Sequence, residues 1–127
     1  MAETHAAAFK GSGWPATDFE RYLNDTTTAI FGDATCFVVM RVMGPEAEIL
    51  TLATHPDFQG RGRAKAMLRA ALDTLRDRGV EEVFLDVAEP NLAAIALYNR
   101  TGFIAFSHRA QYYANGASAI CMKVSFP

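Results

Sequence analysis

The chain has 127 residues, half of them apolar, and twelve lysines and arginines stand against fourteen aspartates and glutamates. A chain of this size forms one domain with a substantial core, so we expect residues 1–127 to be a single domain. The net charge of −2 excludes the broad basic surface that nucleic-acid binding requires. No segment reaches the roughly 18 consecutive apolar residues of a membrane span, and the start lacks a secretion-signal pattern. These features predict a cytoplasmic protein with no nucleic-acid or membrane partner.

Two helices and an antiparallel meander are predicted for the first part of the chain. Helical spacing covers residues 3–9 and 16–24. Three β-rich runs follow, with turns at Gly32-Asp33 and Gly44-Pro45, and they cover residues 28–31, 35–43 and 46–54. Cys36 and Cys121 both lie in apolar, strand-like runs, which predicts reduced, inert thiols.

A strand–loop–helix–strand unit occupies the centre of the sequence. The helix carries an apolar stripe and ends before Gly79, and the stripe consists of Ala64, Leu68, Ala71, Leu72 and Leu75. The next run, VEEVFLDV, alternates, so Leu85 and Val87 share one face and Asp86 lies on the other. A helix that joins two such strands crosses over to a parallel neighbour.

The last third predicts one helix and two strands. Asn91 caps a helix that ends before Gly102, strands cover residues 103–109 and 119–126, and Asn115-Gly116 forms a turn between them. The fold class is therefore mixed α/β, with a mostly antiparallel sheet around a central βαβ unit.

The loop before the central helix reads QGRGRAK, from Gln59 to Lys65. Gly60 and Gly62 allow main-chain amides to converge on one point at a helix N-terminus, where the helix dipole favours an anion. Neighbouring basic side chains favour a ligand with several phosphates. The alternative is a tight strand-to-helix turn with solvated arginines.

Other phosphate and metal motifs are missing from this loop and from the chain. The third glycine of the dinucleotide fingerprint is absent, and no Gly-Lys-Ser/Thr of a P-loop exists. The three histidines are scattered, and no C-x-x-C or H-E-x-x-H spacing occurs, so we expect no metal.

Asn91 and Tyr98 form a second candidate constellation. Seven residues of helix place both side chains on nearly the same face, so one ligand can touch both. Taken singly, Asn91 can be only a helix cap and Tyr98 only a packed aromatic residue.

These two segments carry a resemblance to a known family. The loop from Gln59 to Ala64 resembles the Q-x-x-G-x-G/A motif of the GNAT superfamily of acetyl-CoA-dependent N-acetyltransferases. The stretch DVAEPNLAAIALYNRTGF, residues 86–103, is similar to the superfamily's N-x-x-A-x-x-L-Y-x-x-x-G-F pattern. Within the superfamily, the chain is most similar to the RimI-like ribosomal-protein alanine N-acetyltransferases, which it resembles also in the segments HAAAF, RAQYYANG and AICMKV.

The resemblance implies acetyl-CoA as cofactor and a role for each matching residue. It implies that Tyr98 is the general acid and that Asp86 is the general base, one methylene shorter than the glutamate of RimI-like enzymes. The implied cofactor-binding residues are Leu52, Ala53, Thr54, Gln59, Gly60, Arg61, Gly62, Arg63, Ala64, Lys65 and Asn91. The implied acceptor-binding residues are Trp14, Tyr112 and Tyr113.

Two departures from the family pattern leave the acceptor open. The family's first edge strand is missing, so either the start is truncated or another element covers that edge, for instance from a second subunit; the expected state is a monomer or a homodimer. The segment ANGASAI also lacks the acidic residue often found before the last strand. We expect acetyl transfer to a protein N-terminus. The alternatives are transfer to a small amine, such as a polyamine, amino acid or aminoglycoside, and a non-catalytic acyl-CoA-binding module.

Overall fold

The computed structural model describes residues 1–8 and 15–127. The described chain contains the α-helices α1 (Ala2–Ala8), α2 (Ala16–Leu23), α3 (Arg63–Asp77) and α4 (Leu92–Arg100). The strands are β1 (Thr28–Asp33), β2 (Cys36–Met43), β3 (Glu46–Thr54), β4 (Glu82–Ala88), β5 (Ile104–Arg109) and β6 (Ala119–Ser125). A short 3-10 turn, Pro56–Phe58, links β3 to the loop before α3.

The strands form one six-stranded sheet in the order β1-β2-β3-β4-β6-β5. β3 and β4 are parallel and are joined by α3, whereas the other neighbouring strands are antiparallel. The predicted meander, the βαβ unit and the mixed α/β class are therefore confirmed. The sequence pattern did not predict that β6 would lie between β4 and β5.

Alternating burial divides the sheet into two faces. Val83, Leu85 and Val87 are buried on one face of β4, in the same core cluster as the α3 stripe and Tyr98 of α4. The opposite face holds a smaller cluster with Phe37, against which the first residues of the chain pack. Asp86 points away from the larger core, because successive strand residues alternate between faces.

One predicted boundary of a secondary-structure element is wrong, and another extends to a residue that the structure does not describe. Gly32 and Asp33 belong to β1, and the turn predicted there lies at Ala34 and Thr35 instead. The reason is the Asp33 carboxylate, whose Oδ1 accepts hydrogen bonds from the Thr35 N–H at 2.8 Å and the Cys36 N–H at 3.0 Å. This Asx-type bonding closes the turn after the aspartate rather than at it. The helix predicted to reach Phe9 is described to Ala8, and Phe9 lies outside the described residues.

The loop between β5 and β6 is longer than a two-residue turn. It spans residues 110–118, and Gly116, which has a φ of +85°, donates its N–H to the Tyr113 carbonyl at 2.9 Å. The predicted Asn115-Gly116 turn is thus the tip of a larger loop.

Both cysteines are buried and neither forms a disulfide. In the described ranges, no helix has the length and apolar character needed to cross a membrane.

The glycine at position 32 is a strict steric requirement of the first hairpin. Its φ is +101°, and a Cβ built there would lie 2.1 Å from the Cys36 carbonyl oxygen. We expect Gly32→Ala to lower the free energy of unfolding by more than about 2 kcal/mol, measured by urea denaturation. The matched control is Gly44→Ala, whose φ is +62° but whose Cβ would meet open space. Equal losses in the two variants would contradict the steric argument.

Candidate active site

A cleft of about 930 Å³ opens where β3 and β4 separate. The two strands pair only where Glu46–Glu48 of β3 lies beside Glu82–Phe84 of β4. Beyond those three pairs, each strand continues without the other. The cleft wall contains residues of β3 from Ile49 to Thr54, the end of β4, the loop before α3, and one side of α4. The fork therefore leaves strand edges, a helix N-terminus and a helix face turned toward one space.

The glycine loop meets the geometric requirements for binding an anion. Gly60 and Gly62 have φ values of +76° and +71°, and a Cβ at either position would meet open space. Gly62 is the N-cap of α3 and supplies no side-chain cap. The first four N–H groups of a helix have no partner within it, and here the first bond of the helix is donated by Ala66 to the Gly62 carbonyl at 3.1 Å. The amides of Gly62 to Lys65 are thus available to a ligand.

The basic side chains of the loop differ in whether they line the cleft. Arg63 and Lys65 line the cleft, whereas Arg61 does not. Arg61 lies 5.9 Å from the centre of the Phe58 ring. Arg63 lies closer to the same ring, at 4.8 Å, and its Nη2 is 3.1 Å from Oδ2 of Asp33. Asp33 therefore ties the first hairpin to the loop.

The other predicted cofactor-binding residues lie along β3 and at its end. Leu52, Ala53 and Thr54 line the cleft on the part of β3 that has no β4 partner. Gln59 also lines the cleft, and its Nε2 donates a hydrogen bond to the Thr54 carbonyl at 2.9 Å. This bond fixes the path of the loop against the strand that precedes it.

Asn91 and Tyr98 both face the cleft from α4, as their spacing predicts. Asn91 is also the N-cap, because its side-chain oxygen accepts the Ala94 N–H at 3.2 Å. Tyr98 is only 7% exposed and packs edge-on against Phe103, with ring centres 5.6 Å apart. Burial, together with the neighbouring Tyr113, raises the pKa of the Tyr98 phenol well above its usual value. The Tyr98 phenol is therefore neutral at physiological pH.

Asp86 reaches the same cleft from the other face of the sheet. Its side chain is 24% exposed, and its Oδ2 lies 3.9 Å from Nη1 of Arg109. The cross-strand neighbour is Cys121, and burial and the adjacent carboxylate raise the pKa of that thiol. Tyr113 also lines the cleft, and burial and Asp86 raise the pKa of its phenol. Sequence reasoning missed Arg109, because its position beside Asp86 depends on the pairing of both β4 and β5 with β6.

His5 is a second residue that sequence reasoning missed. It lies in α1, is 3% exposed, lines the cleft, and its Nε2 is 2.8 Å from Oγ1 of Thr51. Its ring stacks on Phe37 with centres 6.5 Å apart. Nothing in the local pattern distinguishes this histidine from an exposed one, because its burial depends on how α1 packs against the sheet.

Of the three predicted acceptor-binding residues, Tyr113 lines the cleft and Tyr112 does not. Tyr112 is 49% exposed and does not line the cleft; it lies against Tyr113 and under the Arg109 guanidinium, 5.2 Å from the ring centre. Trp14 lies outside the described residues.

These features together define a class of protein. A cleft with free amides at one end, unpaired strand edges along its length and a phenol and a carboxylate at the fork suits a phosphate-bearing ligand with a long arm and a reactive end. Within residues 1–8 and 15–127, no three His, Cys, Asp or Glu side chains come together in a way that could hold a metal ion. Such a site suits a ligand that carries a reactive group on a nucleotide-linked arm.

Comparison with known proteins identifies the family. The sequence model of the Acetyltransferase (GNAT) family matches residues 9–103. The [Ribosomal protein bS18]-alanine N-acetyltransferase of Escherichia coli K12 is 36% identical over 109 residues, which is 86% of this chain and 73% of the relative. N-alpha-acetyltransferase 30 of Schizosaccharomyces pombe is 35% identical over 71 residues, 56% of this chain and 47% of the relative. The chain therefore belongs to the GNAT acetyltransferase family.

A solved structure agrees with this assignment. The crystal structure of the ribosomal-protein-S18-alanine N-acetyltransferase from Escherichia coli superposes with a TM-score of 0.87 at 29% identity, covering 98% of this chain and 84% of that chain. GNAT acetyltransferases use acetyl-CoA, and the loop and fork described above fit its diphosphate and its extended arm. The chain is an acetyl-CoA-dependent N-acetyltransferase.

The buried imidazole of His5 makes the stability of the fold depend on pH. Burial lowers the pKa of His5 from 6.5 to about 4. Below pH 6.5 the unfolded chain binds a proton at this histidine that the folded chain does not, so this contribution to stability is lost as pH falls from 6.5 toward 4. We expect this loss to approach about 1.4 kcal/mol per pH unit in the wild type. In His5→Gln the slope should be shallower by that amount.

The measurement is urea denaturation of both proteins at several pH values across that window. The comparison uses slopes rather than absolute stabilities, because the substitution also changes packing against Phe37. Parallel slopes in the two proteins would contradict a neutral, buried His5.

Proposed function

We propose that the protein acetylates the α-amino group at the N-terminus of a protein, as in RimI-like enzymes that act on a ribosomal protein. The observation that carries the proposal is the position of Asp86 and Tyr98, which face one cleft from opposite sides of the forked sheet. This arrangement separates an acceptor side, where a carboxylate can take a proton, from a cofactor side, where a phenol can give one. The relatives named above support a protein N-terminus as acceptor.

The cofactor would be held mainly by main-chain groups. Amides from Gly60 to Lys65 would bind the diphosphate, with Arg61, Arg63 and Lys65 adding positive charge. The unpaired edge of β3, from Leu52 to Thr54, would pair with the pantetheine arm in the way that an added strand pairs with a sheet edge. Asn91 would bind the same arm through the part of its amide that the helix cap leaves unused.

The chain's own groups would divide the proton transfers. Bound acetyl-CoA would supply an activated acetyl thioester, and the amine nitrogen would take the acetyl group as the coenzyme A thiolate leaves. Asp86 accepts the proton of the acceptor ammonium, with a water relay where its short side chain does not reach. An N–H of the unpaired β3 edge polarises the carbonyl oxygen. Tyr98 would donate its phenolic proton to the departing sulfur, and the second proton that the nitrogen loses as the amide forms would return to Tyr98. Its raised pKa keeps the phenol protonated until that step.

The acceptor would enter on the side of Asp86. Tyr113 lines the cleft there and would pack against the acceptor backbone, with Tyr112 beside it, and Trp14 stays a predicted acceptor contact. Arg109 would orient the Asp86 carboxylate through their ion pair. We place this reaction in the cytoplasm, where the two free thiols are compatible with a reducing environment.

The experiment that tests the proposal is an acetylation assay with acetyl-CoA and two sets of acceptors. One set contains peptides beginning with Ala or Ser, and the other contains polyamines, amino acids and aminoglycosides, with thiol release as the readout. We expect turnover of peptides and little turnover of small amines. Acetylation of small amines alone would replace the proposal by a small-amine acetyltransferase, and tight coenzyme A binding without transfer would replace it by a binding module.

The proton-donor role of Tyr98 gives a separate prediction. Tyr98→Phe removes the hydroxyl and keeps the ring that packs against Phe103. We expect kcat to fall by roughly ten- to a thousand-fold, as for loss of one acid–base group, while the Kd for coenzyme A changes little. Stopped-flow or steady-state kinetics and calorimetry measure the two quantities. An unchanged kcat would remove Tyr98 from the mechanism.

A further inference from the structure

Asp33 contacts the glycine loop from a distant part of the chain. It is the last residue of β1, lies outside the two segments that resemble the family motifs, and does not line the cleft. Its Oδ2 lies 3.1 Å from Nη2 of Arg63, which is the first residue of α3 and does line the cleft. The contact spans 30 residues of sequence. The acetyl-transfer mechanism above gives Asp33 no role.

The Asp33 carboxylate is fixed by the turn that follows it. Its Oδ1 accepts hydrogen bonds from the Thr35 hydroxyl at 2.6 Å, the Thr35 N–H at 2.8 Å and the Cys36 N–H at 3.0 Å. These three bonds set the orientation of the carboxylate and leave Oδ2 for Arg63. The Thr35 hydrogen bonds, and to a lesser degree the Arg63 charge, hold the pKa of Asp33 below its usual value. The carboxylate is therefore charged and directed at Arg63 before a ligand binds.

Phe58 restrains the Arg63 guanidinium from a second side. The Arg63 Cζ lies 4.8 Å from the centre of the Phe58 ring, and the side chain is 33% exposed. Immobilising a long, flexible side chain when a ligand binds costs conformational entropy. Here a ring and a carboxylate oxygen already limit the guanidinium beside the free amides of the loop. The bond to Asp33 uses one of the five N–H donors, so others remain for a phosphate.

Asp33 has two opposite effects on an anionic ligand. It holds the Arg63 guanidinium beside the loop, which favours binding, and its own charge repels a phosphate, which opposes binding. The Asp33 side chain is 62% exposed, so water and salt screen its charge at distances beyond the contact with Arg63. The positioning effect acts through the contact itself. We therefore expect positioning to outweigh repulsion.

We propose that Asp33 is a positioning residue for the cofactor, which holds the Arg63 guanidinium against Phe58 so that it binds the diphosphate of coenzyme A. The proposal rests on the diphosphate binding at the glycine loop, as in the proposed function, and adds a residue of the first hairpin that sets the affinity there. Asp33 should change the KM for acetyl-CoA and leave kcat unchanged, because Arg63 lies at the loop and not at the fork where Tyr98 and Asp86 act.

The test is Asp33→Asn, studied with three ligands. Asparagine keeps one oxygen for the turn and replaces the other by an NH2 group, which cannot accept a hydrogen bond from Arg63. We expect the Kd for coenzyme A and the KM for acetyl-CoA to rise about 3- to 5-fold, as for loss of a partly exposed ion pair, with kcat unchanged. The Kd for 3′-dephospho-coenzyme A, which keeps the diphosphate, should rise equally. The Kd for pantetheine, which lacks it, should stay at its wild-type value.

Asp25→Asn is the matched control. Asp25 also precedes a threonine by two residues, and its Oδ1 accepts hydrogen bonds from the Thr27 N–H at 2.8 Å and the Thr27 hydroxyl at 2.7 Å. It does not line the cleft. The control therefore removes the same charge from the same kind of turn, and every Kd should keep its wild-type value. Thermal unfolding of both variants checks that the fold is retained.

A double-mutant cycle with Arg63→Gln separates positioning from other effects of Asp33. In the Arg63→Gln background, Asp33→Asn should have no further effect, because the side chain that Asp33 positions is absent. NMR relaxation of the Arg63 Nε–H group in the ligand-free protein gives a second readout. The group should be ordered in wild type and mobile in Asp33→Asn. A mobile Arg63 guanidinium in wild type overturns the proposal without any variant.

The outcomes separate this proposal from the proposed function. Weaker coenzyme A binding in Arg63→Gln, with unchanged or tighter binding in Asp33→Asn, overturns the role of Asp33 and leaves the loop site standing. Equal losses in Asp33→Asn and Asp25→Asn, or a loss that is absent with 3′-dephospho-coenzyme A, also overturn it. Wild type that binds coenzyme A no more tightly than pantetheine overturns the loop site as well. These affinities involve no acceptor, so they hold whichever amine is acetylated.

Discussion

The separation of β3 and β4 after three register pairs, Glu46–Glu48 with Glu82–Phe84, is the constraint on which the site depends. Each strand keeps its outer partner: β2 follows β3 to Thr54, and β6 follows β4 to Ala88. The β2–β3 register shifts at Val39/Met40, next to the point where the β3–β4 pairing ends. Bulges increase local twist, so this irregularity turns the end of β3 away from β4 and opens the fork. The α3 crossover then brings a helix N-terminus to the opening.

The two faces of the fork have different electrostatic character. On the helix side, free amides and the cations Arg63 and Lys65 favour an anion, and no acidic residue occupies the first turn of α3. On the opposite side, the Asp86 carboxylate favours a cation. Under the proposed function, a phosphate-bearing donor and an ammonium acceptor would approach from opposite faces of one sheet and meet where Tyr98 and Asp86 face the same space. A weak overall charge of −2 is compatible with this, because the charges are sorted locally.

Local patterns predicted most of the fold and most of the residues that line the cleft on its helix side. The stripe of α3, the alternation of β4 and the glycines at 60 and 62 each follow from short-range rules, and the observed bounds and φ values agree with them. Contacts between distant segments were not predictable from local patterns. Arg109 lies near Asp86 because both of their strands pair with β6, opposite Ala119 and Cys121. His5 meets Thr51 only through the packing of α1. The predicted position of the Gly32-Asp33 turn was wrong. The pattern shows a turn-forming pair, but it does not show that the Asp33 carboxylate accepts hydrogen bonds from the residues that follow it.

The central claim is that main-chain amides of the glycine loop bind the diphosphate of the cofactor. The most direct measurement is a titration of isotope-labelled protein with coenzyme A and, separately, with pantetheine, which lacks the diphosphate, following backbone amide resonances by NMR. The account predicts that coenzyme A shifts the amides of Gly60, Gly62 and Ala64 strongly, that pantetheine leaves them nearly unmoved, and that both ligands shift amides of the β3 edge. If coenzyme A bound while those loop amides stayed in place, the account would be contradicted.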